Sequence, residues 1–197
     1  MRTLICLGDS LIEASDLDGA STWPSQVARR LKISVINSGI GGDTTGGLLG
    51  RFYPEVVQQD ADGVLIMGGT NDLWWDLDLK LIRANIFAMV CQASHHDIIP
   101  LVGLPPPILV EKTRQQDFAA PEGGYARFKD QLKALVKALG LAAGQNEVAC
   151  LDFHNPFLDG AGNPIEKYFM DDGLHPNPTG HKLMADIATE MLGGLRD

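Results

Sequence analysis

The chain has 197 residues, 45% of them apolar, enough for one ordinary domain, residues 1–197, with a sizeable core. Its formal net charge of −9 repels nucleic-acid phosphates and anionic membrane surfaces, which argues against a nucleic-acid partner. No apolar run approaches a membrane span, so no stable membrane insertion is expected.

The N-terminal MRTLICLGDS carries an apolar stretch too short for a secretory signal. Cys6, Cys91 and Cys150 are odd in number and widely spaced, with no CxxC pair and no disulfide framework. Free thiols suit a reducing compartment, and the expected location is cytoplasmic.

The first strand-like run is TLICL (3–7), followed directly by Gly8-Asp9-Ser10. WPSQVARRL (23–31) reads as a helix, with Ser21 or Thr22 as cap and Pro24 in its first turn. The strand ISVIN (33–37) runs into the glycine-rich NSGIGGDTT (37–45). A helix over 44–59, capped by Asp43, is weakened by its glycines and Pro54. The strand GVLIM (63–67) runs into GGTND (68–72), then Trp74 and Trp75. A helix over 79–96 ends in His95-His96. The strand IIPLVGL (98–104) leads to a long irregular segment, 105–124, of a length usually functional or mobile. The helix over 125–144 carries Phe128, Leu132, Leu135, Val136 and Leu139 on one stripe. The strand EVACLDF (147–153), the turn MDDGLHPNPTG (170–180) and a helix over 179–195 complete the chain.

The strand runs show little alternation, as strands buried on both faces do. Strands alternating with helices imply βαβ units, a parallel sheet and a doubly wound three-layer α/β/α domain. In such sheets ligands bind beyond the carboxyl ends of the strands. The polar, glycine-rich segments all lie there.

Gly8-Asp9-Ser10 can be a helix-capping turn or can present Ser10 as a nucleophile. A serine hydroxyl needs a base, and the base needs an orienting group. Among the five histidines, His175 has Asp172 three residues before it, close enough in a turn to share one face. An Asp-x-x-His can equally be a surface turn with a capping Asp. His154 follows a strand and is an outside candidate. His181 lies within the last helix. Oxyanion donors are available in the N–H of Ser10, the N–H of Gly42 and the side-chain amide of Asn71. Each motif is weak alone; in this order at these strand ends they reinforce one another.

The four segments resemble the SGNH hydrolases, also called GDSL esterases and lipases, from residue 4 to about residue 180. LGDSL resembles the nucleophile block and implies Ser10. NSGIGGDT resembles the oxyanion-glycine block and implies Gly42, with Gly39 and Gly41 close by. GGTND implies Asn71. DDGLHP implies Asp172 and His175, the family spacing selecting Asp172 over Asp171. The resemblance implies a flavodoxin-like three-layer fold on a five-stranded parallel sheet, and no metal or other cofactor. It implies cleavage of an ester or thioester through an acyl-enzyme on Ser10. The expected partner is a small-molecule acyl ester, a lysophospholipid or an acyl-thioester; deacetylation of small acetylated carbohydrates is the alternative.

Trp74 and Trp75 follow the Asn71 loop and could line an acyl pocket or pack against a helix. The apolar LPPPILVEK (104–112) is expected to form its other wall. Oligomeric state is not legible. A rival reading, a flavodoxin-like nucleotide-binding protein, is disfavoured: GIGGDTTGG fits neither GxGxxG nor GxxxxGK[ST]. Phosphoryl transfer on Asp9 would want a further metal-binding carboxylate nearby.

Overall fold

In the computed structural model, which describes residues 1–194, five strands form one all-parallel sheet in the order β2-β1-β3-β4-β5. The strands are β1 (Thr3–Gly8), β2 (Ser34–Gly39), β3 (Gly63–Met67), β4 (Ile99–Leu104) and β5 (Ala149–Asp152). The chain winds from β1 outward to β2, then returns past β1 to β3 and continues the other way. Beyond the carboxyl ends of β1 and β3 the connections diverge, which opens a crevice at the switch point.

Alternation along the strands divides the core in two. Ile5, Leu7, Val64 and Ile66 face one layer, where α3 (Thr45–Glu55), α5 (Leu79–His95) and α7 (Gly124–Gln145) supply Phe52, Ile86, Phe128 and Leu135. Leu4, Cys6, Leu65 and Met67 face the other, where α1 (Ser10–Glu13), α2 (Trp23–Leu31) and α8 (Pro178–Gly194) supply Ile12, Trp23, Val27 and Met184. Each fully buried Leu, Ile or Phe contributes about 1.5–3 kcal/mol, so β1 and β3 are held firmly from both sides. Two short helices, α4 (Thr70–Trp74) and α6 (Val110–Thr113), lie at the carboxyl end of the sheet.

Three expectations change. The run at 33–37 is not buried on both faces: β2 is an edge strand with β1 as its one partner, and Ile36 is 37% exposed. The helix expected over 44–59 stops at Glu55 and passes into a 3₁₀ turn at Val57–Gln59. Its cap is Thr44, whose hydroxyl accepts from Gly47 N–H, and not Asp43. Asp43 is instead engaged by Arg51. In 105–124, α6 interrupts the expected irregular path. Leu195, the expected end of the last helix, lies outside the described residues.

Among the described residues, no helix is long and apolar enough to cross a membrane.

Candidate active site

The capping reading of Gly8-Asp9-Ser10 is met, and the same turn sets Ser10 beyond the carboxyl end of β1. The Asp9 carboxylate accepts from Leu11 N–H at 2.9 Å and caps α1. Ser10 thereby opens a rigid helical turn anchored by the buried Leu11 and Ile12. A Cβ on Gly8 would collide with Met67 O and Ile12 Cγ1, so only glycine lets α1 pack this close to β3.

The Ser10 Oγ lies 3.0 Å from His175 Nε2, across 165 residues of chain. His175 Nδ1 lies 2.6 Å from Asp172 Oδ2. An ionised carboxylate accepts only, so Nδ1 carries the proton and Nε2 turns its lone pair toward the serine hydroxyl. Asp172 Oδ1 also accepts from Leu174 N–H at 2.8 Å and His175 N–H at 3.0 Å, which fixes carboxylate and ring together. Between them Gly173 has φ +70°, and a Cβ there would lie 2.7 Å from Leu109 O. Leu109 N–H donates to Gly173 O at 2.7 Å, tying the turn to the β4 side of the sheet.

The charges follow from this geometry. Burial raises the Asp172 carboxyl, but His175 and the backbone N–H of His175 and Leu174 outweigh it and hold it below the usual carboxylate range. Burial disfavours the His175 imidazolium, yet the Asp172 hydrogen bond and charge hold the ring above its ordinary value. Asp9, 1% exposed and with Oδ2 unpartnered, is pushed up to about 7 by burial, against the Leu11 hydrogen bond and the nearby His175.

Gly42 and Asn71 face the same space. Gly42 has φ +78°, no heavy atom within 4 Å of a would-be Cβ, and an N–H without a protein acceptor among the described residues. Gly39 and Gly41 turn toward α1: a Cβ on Gly39 would collide with Glu13 N, and one on Gly41 would lie 2.8 Å from Glu13 Oε2. Asn71 sits in the first turn of α4 and donates one Nδ2 hydrogen to Asp43 O at 2.9 Å, leaving the second. Next to it, the buried Asp72 accepts from Thr45 N–H at 2.9 Å and from the Thr45 hydroxyl, pinning α4 to the start of α3.

These groups open into a cavity of about 280 Å³ whose floor includes Ser10, Gly42, Asn71 and His175. Its apolar wall is Leu11, Trp74, Trp75, Phe118 and Leu174. Trp75 is 60% exposed at the mouth. Trp74 lines the cavity and also packs edge-on against Phe118, Tyr125 and Phe128. Its Nε1 donates to Ala119 O at 3.0 Å.

The expected second wall, residues 104–112, does not line this cavity. Leu104 and Ile108 are consumed by the core, and Leu109 braces the His175 turn. Phe118 takes that place. It lies in the irregular 105–124 segment, where no motif singled it out, and it packs on Trp74.

The other histidines lie elsewhere. His154 Nδ1 bonds Pro105 O at 3.0 Å, and burial lowers its pKa. His181 accepts Trp23 N–H on Nδ1 at 3.1 Å, and burial pushes it down to about 4. His95 ends α5 and His96 is its C-cap, just ahead of β4, at the amino end of the strands. Among the described residues, no three His, Cys, Asp or Glu side chains come together as a metal-holding group.

The sequence model of the GDSL-like lipase/acylhydrolase family matches residues 6–183. An arylesterase of Vibrio mimicus is 28% identical over 196 residues, covering 96% of this chain and 87% of that protein. Esterase TesA of Pseudomonas aeruginosa is 26% identical, covering 89% of this chain and 80% of its own. A crystal structure of the lipase/acylhydrolase from Enterococcus faecalis superposes with a TM-score of 0.79 at 24% identity, over 98% of this chain and 96% of the other. That likeness is one of fold. With the family model spanning nearly the whole chain, this protein belongs to the GDSL-like lipase/acylhydrolase family, has the SGNH-hydrolase fold, and is a carboxylic ester hydrolase.

Proposed function

We propose that the chain acts as one domain that hydrolyses small acyl esters or thioesters through an acyl-enzyme on Ser10. The observation that carries this reading is the continuous path from Asp172 through His175 to Ser10, at 2.6 Å and 3.0 Å, ending in a cavity that also holds Gly42 and Asn71.

In this mechanism His175 Nε2 takes the hydroxyl proton as Ser10 Oγ attacks the substrate carbonyl. Asp172 holds the ring and stabilises the imidazolium. The developing oxyanion meets three donors: the Ser10 N–H, one of the first four helix N–H groups without an intrahelical acceptor; the Gly42 N–H; and the second Nδ2 hydrogen of Asn71. Loss of one such donor costs about a hundred- to thousandfold in rate. His175 returns its proton to the departing alcohol or thiol. Water, activated by the same nitrogen, then releases the acid.

The acyl portion lies against Trp74, Trp75, Phe118 and Leu174. An open, aromatic wall suits an apolar acyl or aryl group better than a polar one. Three unpaired thiols, Cys91 among them exposed, fit a reducing compartment such as the cytoplasm.

The test is hydrolysis of p-nitrophenyl esters from acetate to palmitate by wild type and Ser10→Ala, without added metal. Turnover by wild type and none by Ser10→Ala supports the reading, and the best chain length identifies the acyl group. Equal rates for the two proteins would remove Ser10 as nucleophile.

A further inference from the structure

Arg51 lies in α3, on the far side of the oxyanion loop from the substrate cavity. Its side chain is 14% exposed, low for an arginine. Four of its five donors are used. Nε donates to Asp43 Oδ2 at 2.8 Å. Nη1 donates to Ser38 O at 2.9 Å and to the Glu55 carboxylate. Nη2 donates to Gly8 O at 2.9 Å.

The positions of these acceptors matter. Gly8 closes β1 directly before Asp9-Ser10. Ser38 lies at the end of β2, where the glycine-rich loop begins. Asp43 directly follows Gly42, and its own carbonyl accepts the Asn71 amide at 2.9 Å. One planar guanidinium therefore grips the segment that carries the nucleophile and the segment that carries or orients two oxyanion donors. Gly47 is shaped for the same contact. A Cβ there would collide with Asp43 Oδ1, so glycine leaves room for the carboxylate to lie against α3 and reach Arg51.

We infer that Arg51 is a positioning residue: through Asp43 and Gly8 it sets the placement of the Gly42 and Asn71 donors relative to Ser10. The inference rests on the function proposed above. A fixed, multidentate fork suits this role, and lysine does not replace it: a lysine ammonium is a point charge on a flexible stem, without the planar fork that spans these acceptors. Arg51 also pairs the Asp43 carboxylate, whose bare charge beside Gly42 would oppose a growing oxyanion.

The experiment compares wild type, Ser10→Ala, Arg51→Lys, Arg51→Ala and Gly47→Ala, alone and combined with Asn71→Ala. Rates of the variants that keep Ser10 are expressed per active site titrated with a phosphonate ester, so that unfolded protein is not counted, and those of Ser10→Ala per folded protein measured by circular dichroism. Misplacement of donors on this scale predicts a kcat lowered about tenfold to a hundredfold in Arg51→Lys, with KM within about twofold of wild type. Because Arg51 acts through the donors, Asn71→Ala costs less in the Arg51→Lys background than in wild type. Millimolar methylguanidinium restores part of the kcat of Arg51→Ala, and methylammonium does not. Gly47→Ala, which keeps Arg51 and displaces the Asp43 carboxylate, lowers kcat in the same direction and stands in should the Arg51 variants fail to fold. A kcat per titrated site within twofold of wild type in the folded variants, or losses that multiply fully with Asn71→Ala, would overturn the inference. Ser10→Ala separates the two ideas. Full activity in Ser10→Ala refutes the proposed function itself, whereas an inactive Ser10→Ala beside a normal Arg51→Lys refutes only the role of Arg51.

Discussion

Replacing Asp172 by Asn tests the proposal that His175 acts as the base. Asp172 Oδ1 faces two backbone donors, Leu174 N–H at 2.8 Å and His175 N–H at 3.0 Å. In the Asp172→Asn variant the amide oxygen must stay there, because an NH₂ would confront both N–H groups. The NH₂ then takes the place of Oδ2, opposite His175 Nδ1. It can only donate, so the imidazole proton moves to Nε2 and the lone pair facing Ser10 is lost. Reversing the tautomer of a catalytic histidine with its geometry intact costs about ten-thousandfold in kcat, or about 5 kcal/mol of barrier. Stability should hardly change, since both backbone bonds survive. Asp172→Ala is the control. It removes the base's partner and also strands two backbone donors, at about 1–3 kcal/mol, or roughly 2–12 °C in Tm for a chain of this size. The assay is p-nitrophenyl ester hydrolysis alongside calorimetry. Wild-type kcat/KM should rise with pH through the raised His175 pKa, because only the neutral ring is a base. A folded Asp172→Asn enzyme within tenfold of wild type would refute the tautomer argument.

Three further outcomes follow from the same site. Asp9 titrates at about 7 in the folded protein, through burial, against about 3.9 unfolded. Between those values the folded chain holds a proton that the unfolded chain has released, so this contribution is fully present below about pH 4 and is lost as pH climbs to about 7. Asp9→Asn removes the dependence. Its Tm relative to wild type should improve from pH 4 to pH 8 by the equivalent of on the order of 4 kcal/mol, and a constant offset across that range would refute the buried-acid account. Trp75→Ala, at an exposed position on the cavity rim, should raise KM for long-chain or aryl acyl esters, spare acetate and leave Tm unchanged. Trp74→Ala breaks three aromatic contacts and should also lower stability, toward the low end of about 3–5 kcal/mol. Equal Tm losses in the two variants would contradict this division.

Much of the architecture is written in local pattern. Five apolar runs alternating with helical stripes specify the doubly wound sheet, because its inner strands must bury both faces and helices must cover them. The segments at the strand ends could be named from the sequence for a related reason. Gly8-Asp9-Ser10, Gly42, Asn71 and the Asp172/His175 turn each lie in a short contiguous segment that resembles a family block, although the packing around each is long-range. Asp172 and His175 are three apart, so the turn alone brings them into contact.

The rest depends on contacts between distant parts of the chain. Phe118 reaches the cavity because Trp74, 44 residues earlier, draws its segment inward. Arg51 looks like any helix-surface arginine until Gly8, Ser38 and Asp43 converge on it. The β2 run shows no clear alternation to mark an exposed face, and its place at the sheet edge leaves Ile36 exposed. Residues 104–112 have the composition of a pocket wall, but core packing claims Leu104 and Ile108 before a ligand could. Local sequence thus specifies the elements and the chemistry at their ends, because those follow from backbone preference and from contacts within a turn. Which side chains surround that chemistry is settled by the packed layers, because shape and competition for buried space exist only once those layers have come together.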